Sequence, residues 1–201
     1  DTPAWKVAQA HTEAHFRGWA PLIALQIEYS LIERTVEGEL MPMAQELGLG
    51  VTPWSPLRGG VLSGKYTREN AATKKSDRGE RVTMFLTERN FAIIDELLRV
   101  AREIEAPPAA VALSWVQSRP GVTSTIIGAR RMDQLDQNLA ALDLTLSPAH
   151  LEALDAVSEP VLNFPAAMLK FVPMFTQGGL TVSGLKTPAW PLAPTGEADR
   201  Y

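Results

Sequence analysis

Directly after a run that reads as a strand, the chain carries Trp54-Ser55-Pro56-Leu57-Arg58-Gly59-Gly60-Val61-Leu62-Ser63-Gly64-Lys65, a loop holding three glycines, two serines and a lysine. Glycines let successive backbone N–H groups approach an anion with no Cβ in the way, and hydroxyls and an ammonium can complete the shell around a phosphate. The same residues also make an ordinary flexible turn, and spacing alone leaves both readings open. A second stretch, Ile126-Ile127-Gly128-Ala129-Arg130-Arg131, leaves another apolar run and enters a predicted helix carrying Gln134 and Asn138. Gly128 falls near that helix's N-terminus, where exposed N–H groups and the positive end of the dipole favour an anion. Arg130 adds a two-pronged fork matched to phosphate. Gln134 and Asn138 are four apart and share a face, set away from the stripe of Leu135, Leu139 and Leu142. A solvated helix face is the alternative.

Other chemistry finds little support. His11, His15 and His150 all fall on predicted helices, which suits surface or packing roles, and with no cysteine in the chain no metal site is expected. Ser63-Gly64 lacks the flanking pattern of a strained nucleophile turn. No catalytic residue is assigned.

The elements that must position these loops alternate regularly. Thr2-Pro3 opens a helix bearing Trp5, Ala8, Thr12 and Phe16 at helical spacing, and Gly18 ends it. Residues 22–28 read as a strand through Ile23, Leu25 and Ile27. Leu40, Met43, Ala44 and Leu47 then form a helical stripe stopped by Gly48, and residues 49–54 make a second strand. Residues 66–81 are charged, poor in large aliphatics, and read as a long excursion loop. Thr87 caps a helix carrying Phe91, Ile94, Leu98 and Ala101, and Pro107-Pro108 opens another with Val111, Trp115 and Val116. After the Pro120-Gly121 turn, residues 122–127 form a third β-branched run, followed by a helix with Met132, Leu135, Leu139 and Leu142. Ser147-Pro148 starts a last helix with Leu151, Leu154 and Val157. Beyond Glu159, six prolines interrupt any regular element, leaving an extended tail at 159–201 whose Phe164, Phe171, Phe175 and Trp190 can pack over a pocket or on an outer face.

This alternation implies right-handed crossovers and a parallel sheet. Three parallel strands make an incomplete object, since a closed barrel of this kind takes eight strands and about 250 residues. In such barrels the phosphate site is frequently built from the loops after the last two strands. The two loops described above stand in that relation, which points to one dinucleotide.

Composition sets bounds on partners and compartment. The chain has 201 residues, 45% of them apolar, enough for one sizeable core, and its formal charge of -4 offers no broad positive field for nucleic acid. No run approaches the length of a membrane span, and the start lacks a basic segment followed by an apolar one. A cytoplasmic protein without membrane or nucleic-acid partners is expected.

Three runs, taken in order and spacing, resemble the aldo-keto reductase family over about residues 1–158: Gln26-Ile27-Glu28-Tyr29-Ser30-Leu31, Trp54-Ser55-Pro56-Leu57 through Ser63-Gly64-Lys65, and Ile127-Gly128-Ala129-Arg130 through Gln134-Leu135 and Asn138-Leu139. The resemblance implies an α/β fold of the (β/α)8 TIM-barrel type, of which this chain would supply roughly strands six to eight with their helices and the tail. It implies NADP(H) as cofactor. The position of Gln26 would bond the nicotinamide amide and that of Tyr29 would stack on its ring. Trp54, Ser55, Pro56, Leu57, Gly59 and Lys65 would wrap the pyrophosphate and adjoining ribose, and Gly128, Arg130, Gln134 and Asn138 would hold the adenosine and its 2′-phosphate.

Two features depart from the family pattern. Asp1 falls where an Asn usually follows a Ser at the end of strand five, and the family's catalytic Asp, Tyr, Lys and His come from the first four strands, so none can be placed here. The implied reaction is hydride transfer between NADPH and an aldehyde or ketone, with this chain supplying cofactor binding. The alternatives are a non-catalytic nucleotide-binding or regulatory subunit, since the family includes potassium-channel beta subunits, or a half-barrel that self-associates or pairs with another half.

Overall fold

The computed structural model describes residues 1–71 and 80–192, with only the backbone course given at 80, 81 and 185. It is an α/β chain that divides into two compact units, Asp1–Pro160 and Val161–Tyr201.

The first unit opens with α1 (Ala4–Arg17), closed by Gly18 in the left-handed conformation at φ 65°. Its buried line is Ala4, Val7 and Ala14, whereas Trp5 is 62% and Phe16 83% exposed. The expected apolar stripe is therefore a third of a turn out of phase. Small residues allow α1 to lie close against α2 (Leu40–Glu46), and the large aromatics fall on the face turned away.

Strands β1 (Ala24–Glu28) and β2 (Gly50–Trp54) pair in parallel, in register from Ala24 opposite Gly50 to Glu28 opposite Trp54. The expected third strand does not form a ladder. Val122 makes one parallel bridge to Val51, with Val51 N–H donating to Gly121 O at 3.0 Å and Thr123 N–H to Val51 O at 2.9 Å. The next donor on that edge of β2 would be residue 53, a proline without an N–H, so the pairing lapses there. Contact resumes only where Ile126 N–H donates to Pro53 O at 2.8 Å. Residues 122–127 thus accompany β2 without regular pairing. Close approach explains Gly50 as well, because a Cβ there would lie 2.7 Å from Thr123 Oγ1.

Of the expected excursion loop, residues 72–79 lie outside the described residues, and Tyr66 at its start is buried in the core. Helices α3 (Glu80–Thr83), α4 (Glu88–Glu103), α5 (Pro108–Gln117), α6 (Met132–Leu139) and α7 (Pro148–Val157) follow. Thr87 caps α4 by accepting the Asn90 N–H at 3.3 Å, and Ser147 caps α7 by accepting that of His150 at 3.2 Å. Helix α5 is buried nearly all round, with Val111, Ala112, Trp115 and Val116 fully enclosed, so it forms the centre of the packing behind the two strands. Ile93, Ile94 and Leu97 of α4 and Leu154 of α7 complete that core.

The second unit corrects the expectation of a tail without regular structure. It contains α8 (Ala166–Leu169), α9 (Val172–Gln177) and a hairpin of β3 (Thr181–Val182) with β4 (Leu185–Lys186). Pro173 is tolerated because it sits in the first turn of α9, where no intrahelical N–H is needed. The rings of Phe175 and Trp190 meet with centroids 4.5 Å apart.

Candidate cofactor site

At the carboxyl ends of β1 and β2 three side chains come together. Along β1, Leu25 and Ile27 are buried while Gln26 is exposed and Glu28 half-buried, so Gln26 and Glu28 share the outward face. The Asp1 carboxylate accepts the Glu28 N–H at 3.3 Å and the indole N–H of half-buried Trp54 at 3.2 Å. Asp1, Gln26 and Trp54 therefore line one edge, offering an amide, a carboxylate and a flat ring.

Tyr29 does not join them. It is 2% exposed, its hydroxyl donates to Glu37 Oε1 at 2.8 Å, and its ring meets Trp115 edge-on at 5.7 Å. Burial, reinforced by the neighbouring Glu37 carboxylate, pushes the phenol pKa above its ordinary value and keeps the hydroxyl protonated as a donor. Glu37 is held in turn by Arg34, whose Nε and Nη2 donate to it at 2.7 and 3.1 Å. Arg34 Nη1 reaches Ser158 Oγ at 2.7 Å and joins α7 to the turn after β1. The strand alternation places Tyr29 on the helix side, so the structure separates its ring from the Gln26 amide.

The loop after β2 is shaped by left-handed backbone. Ser55, Arg58, Gly59, Gly60 and Gly64 all have positive φ, at 54°, 46°, 65°, 94° and 81°. Glycine adopts this region without steric cost, whereas a non-glycine residue there costs about 1–3 kcal/mol and persists where its surroundings impose it. The turn closes on itself through Arg58 N–H to Ser55 O at 2.8 Å, Gly60 N–H to Leu57 O at 2.9 Å and Leu62 N–H to Leu57 O at 3.2 Å. Buried Val61 and Leu62 anchor it to the core. A Cβ on Gly60 would lie 3.1 Å from Lys65 Nζ, so the ammonium is folded directly over the glycine turn. The Ser63 hydroxyl donates to Gly60 O at 2.7 Å and braces the loop from within. Gly64 has a packing role, since a Cβ there would strike Pro108 Cγ at 2.7 Å.

Arg58 is the loop residue that a count of glycines, serines and lysine passes over. Its guanidinium pairs with the Glu28 carboxylate and lies 4.2 Å from the centroid of the Phe85 ring. An arginine embedded in a glycine run is the sequence signal for it.

The second loop leaves beside the first, because Ile126 is bonded to Pro53, one residue before Trp54. Gly128 is exposed, and a Cβ there would meet nothing within 4 Å. The Gln134 side chain accepts the Arg130 N–H at 3.0 Å across the entrance of α6. Arg131 donates twice to Asp133, at 2.9 Å each, and that pairing holds the Asp133 carboxyl below its ordinary pKa. Asn138 is 6% exposed while Leu139 and Leu142 are exposed, the reverse of the expected stripe: α6 packs on α5 through the Asn138 side. Gly128, Arg130 and Gln134 therefore gather at the α6 entrance, with Asn138 turned inward a turn further on.

Comparison with known proteins defines the family. Residues 1–159 match the model of the Aldo/keto reductase family, and the chain belongs to that family. It is 37% identical over 153 residues to the uncharacterized oxidoreductase YrpG of Bacillus subtilis, covering 76% of this chain and 45% of that protein. It is 28% identical over 183 residues to the putative aryl-alcohol dehydrogenase AAD14 of Saccharomyces cerevisiae, covering 88% and 48%. It is 34% identical over 166 residues to a probable voltage-gated potassium channel subunit beta of Oryza sativa, covering 78% and 48%. The chain thus spans about half the length of these relatives.

Proposed function

We propose that this chain is the cofactor-holding portion of a reductase that binds NADP(H). The observation that supports the reading is that three chemically distinct groups follow β1, β2 and the run beside β2: an amide and an indole at Gln26 and Trp54, a left-handed glycine turn under the Lys65 ammonium, and an arginine at a helix entrance. That donor set fits a dinucleotide with a flat ring at one end, two phosphates in the middle and a further phosphate at the other. Gln26 bonds the ring's amide, and Trp54, in place of buried Tyr29, supplies the flat surface. Ser55, Pro56, Leu57, Gly59 and Lys65 surround the pyrophosphate. Gly128, Arg130 and Gln134 receive the adenosine end, with Asn138 supporting them from the packed side.

NADPH, when bound, supplies a hydride to an aldehyde or ketone carbon. The chain's own residues hold and orient it, and no proton donor is assigned among them. The expected result for the purified chain is saturable NADPH binding without appreciable carbonyl-dependent loss of NADPH absorbance. Turnover at an ordinary enzymatic rate, about 1 to 1000 per second, would contradict the division of labour.

A second reading, of a half-barrel that pairs with another copy or with a complementary half, is favoured by exposed apolar side chains on both flanks. Trp19 and Ile23 precede β1, and Ile126 and Ile127 end the run that lies beside β2. Light scattering on the eluted chain should report a mass above that of one copy. A monomer with a cooperative, high-temperature melt would contradict it.

A further inference from the structure

Arg58 and Glu28 tie the glycine turn to the strand that carries Gln26. Glu28 is the last residue of β1, two positions beyond Gln26 on the same face, and Arg58 lies four residues past the end of β2. Their side chains are 23% and 14% exposed, so the ion pair is shielded from solvent far more than a surface pair. The guanidinium is flanked on its other side by the Phe85 ring.

Two facts about Arg58 belong together. It holds a left-handed backbone at φ 46°, and it leads straight into Gly59 and Gly60, over which Lys65 Nζ is folded. A left-handed arginine persists only where its surroundings determine it; among the described residues the guanidinium is charge-paired with Glu28 and faces the Phe85 ring, its buried Nε and Nη1 making no hydrogen bond. A phosphate brought to the same guanidinium would meet the Glu28 carboxylate already paired with it.

Resting on the dinucleotide reading above, we infer that Arg58 is a positioning residue for the pyrophosphate. It clamps the loop onto Glu28 and Phe85 and presets the glycine turn before the anion arrives, without touching the anion. Presetting a loop strengthens binding by removing the cost of ordering it. Both NADPH and NADH carry the pyrophosphate, so the clamp serves both equally.

Arg58→Gly separates the clamp from the backbone, since glycine keeps the left-handed conformation at no steric cost while losing the guanidinium. Glu28→Gln removes the other half of the pair and keeps its shape. Affinity for NADPH and for NADH is read from quenching of tryptophan fluorescence, at temperatures well below each variant's melt. Each single variant is expected to weaken both cofactors by about three- to tenfold, and the double variant by no more than the worse single one. Arg58→Lys is expected to recover part of the loss, because an ammonium can still reach Glu28.

Three outcomes overturn the inference: unchanged affinity in Arg58→Gly, a loss in Arg58→Gly with none in Glu28→Gln, or additive losses in the double variant. The second of these would make Arg58 a direct phosphate ligand. Hydrogen exchange on the chain without cofactor tests the clamp by itself. Amides of residues 59–64 should exchange at least about threefold faster in both single variants, with α7 unchanged. Equal exchange there refutes the clamp, whereas absence of cofactor binding by the unaltered chain refutes only the dinucleotide reading.

Discussion

Gln26 and Tyr29 stand three residues apart at the carboxyl end of β1 and face opposite sides of it, Gln26 outward beside Trp54 and Tyr29 inward onto Glu37 and Trp115. Gln26→Ala is therefore expected to weaken NADPH binding with no change in melting temperature. Tyr29→Phe should do the opposite. Losing the hydrogen bond to the Glu37 carboxylate should cost about 1.5 kcal/mol, or about 3–6 °C in a chain of this size, at unchanged affinity. Fluorescence titration and thermal melts of the two variants check this, and loss of affinity in Tyr29→Phe would place that ring in the site.

Tyr29 also sets a pH dependence. Its folded pKa is raised by burial and by Glu37 above the ordinary value, which is about 10 in an unfolded chain. Above about pH 10 the unfolded state releases this proton while the folded state keeps it, so the stabilisation is complete below that pH and declines as pH rises. Denaturant unfolding at a series of alkaline pH values should show a steeper fall in stability for the unaltered chain than for Tyr29→Phe. Parallel curves would show that the phenol ionises freely in the folded state.

Gly64 and Gly18 separate conformation from packing. Both have positive φ, but a Cβ at Gly64 strikes Pro108 and one at Gly18 meets nothing within 4 Å. Gly18→Ala should cost about 1–2 kcal/mol from the backbone alone. Gly64→Ala should cost about 1–3 kcal/mol more, for overpacking against the first turn of α5. Denaturant midpoints report both, and equal losses would mean that Pro108 gives way freely.

The sequence announces elements better than it announces faces. The proline-opened helices, the Thr87 and Ser147 caps and the two paired strands lie where periodicity and capping residues put them, because those signals are local. The faces of α1 and α6 depart from the expectation that the large apolar residues are the buried ones. Trp5, Phe16, Leu139 and Leu142 are exposed, while Ala4, Val7, Ala14 and Asn138 face the packing. The third strand failed for a reason carried by its neighbour: Pro53 withholds the N–H that a ladder on β2 requires. At the site, loop composition pointed to the Gly59-Gly60 turn and to Gly128. Strand alternation sets Gln26 and Tyr29 on opposite faces, contrary to the expectation that both meet the nicotinamide, whereas the Arg58–Glu28 pair depends on a contact between the end of β1 and the loop after β2 that local pattern does not encode.

In the proposed function the two loops grip one dinucleotide, with Arg130 at its 2′-phosphate end. Titration of the unaltered chain and of Arg130→Ala with NADPH and NADH, followed by tryptophan fluorescence, tests it most directly. A charge-assisted hydrogen bond of about 1.5–3 kcal/mol predicts saturable NADPH binding that Arg130→Ala weakens about ten- to a hundredfold, with NADH hardly affected. Arg131→Ala serves as the mild control, because Arg131 is already paired with Asp133. No saturable binding of either cofactor, equal losses for NADPH and NADH in Arg130→Ala, or a larger selective loss in Arg131→Ala would contradict the account.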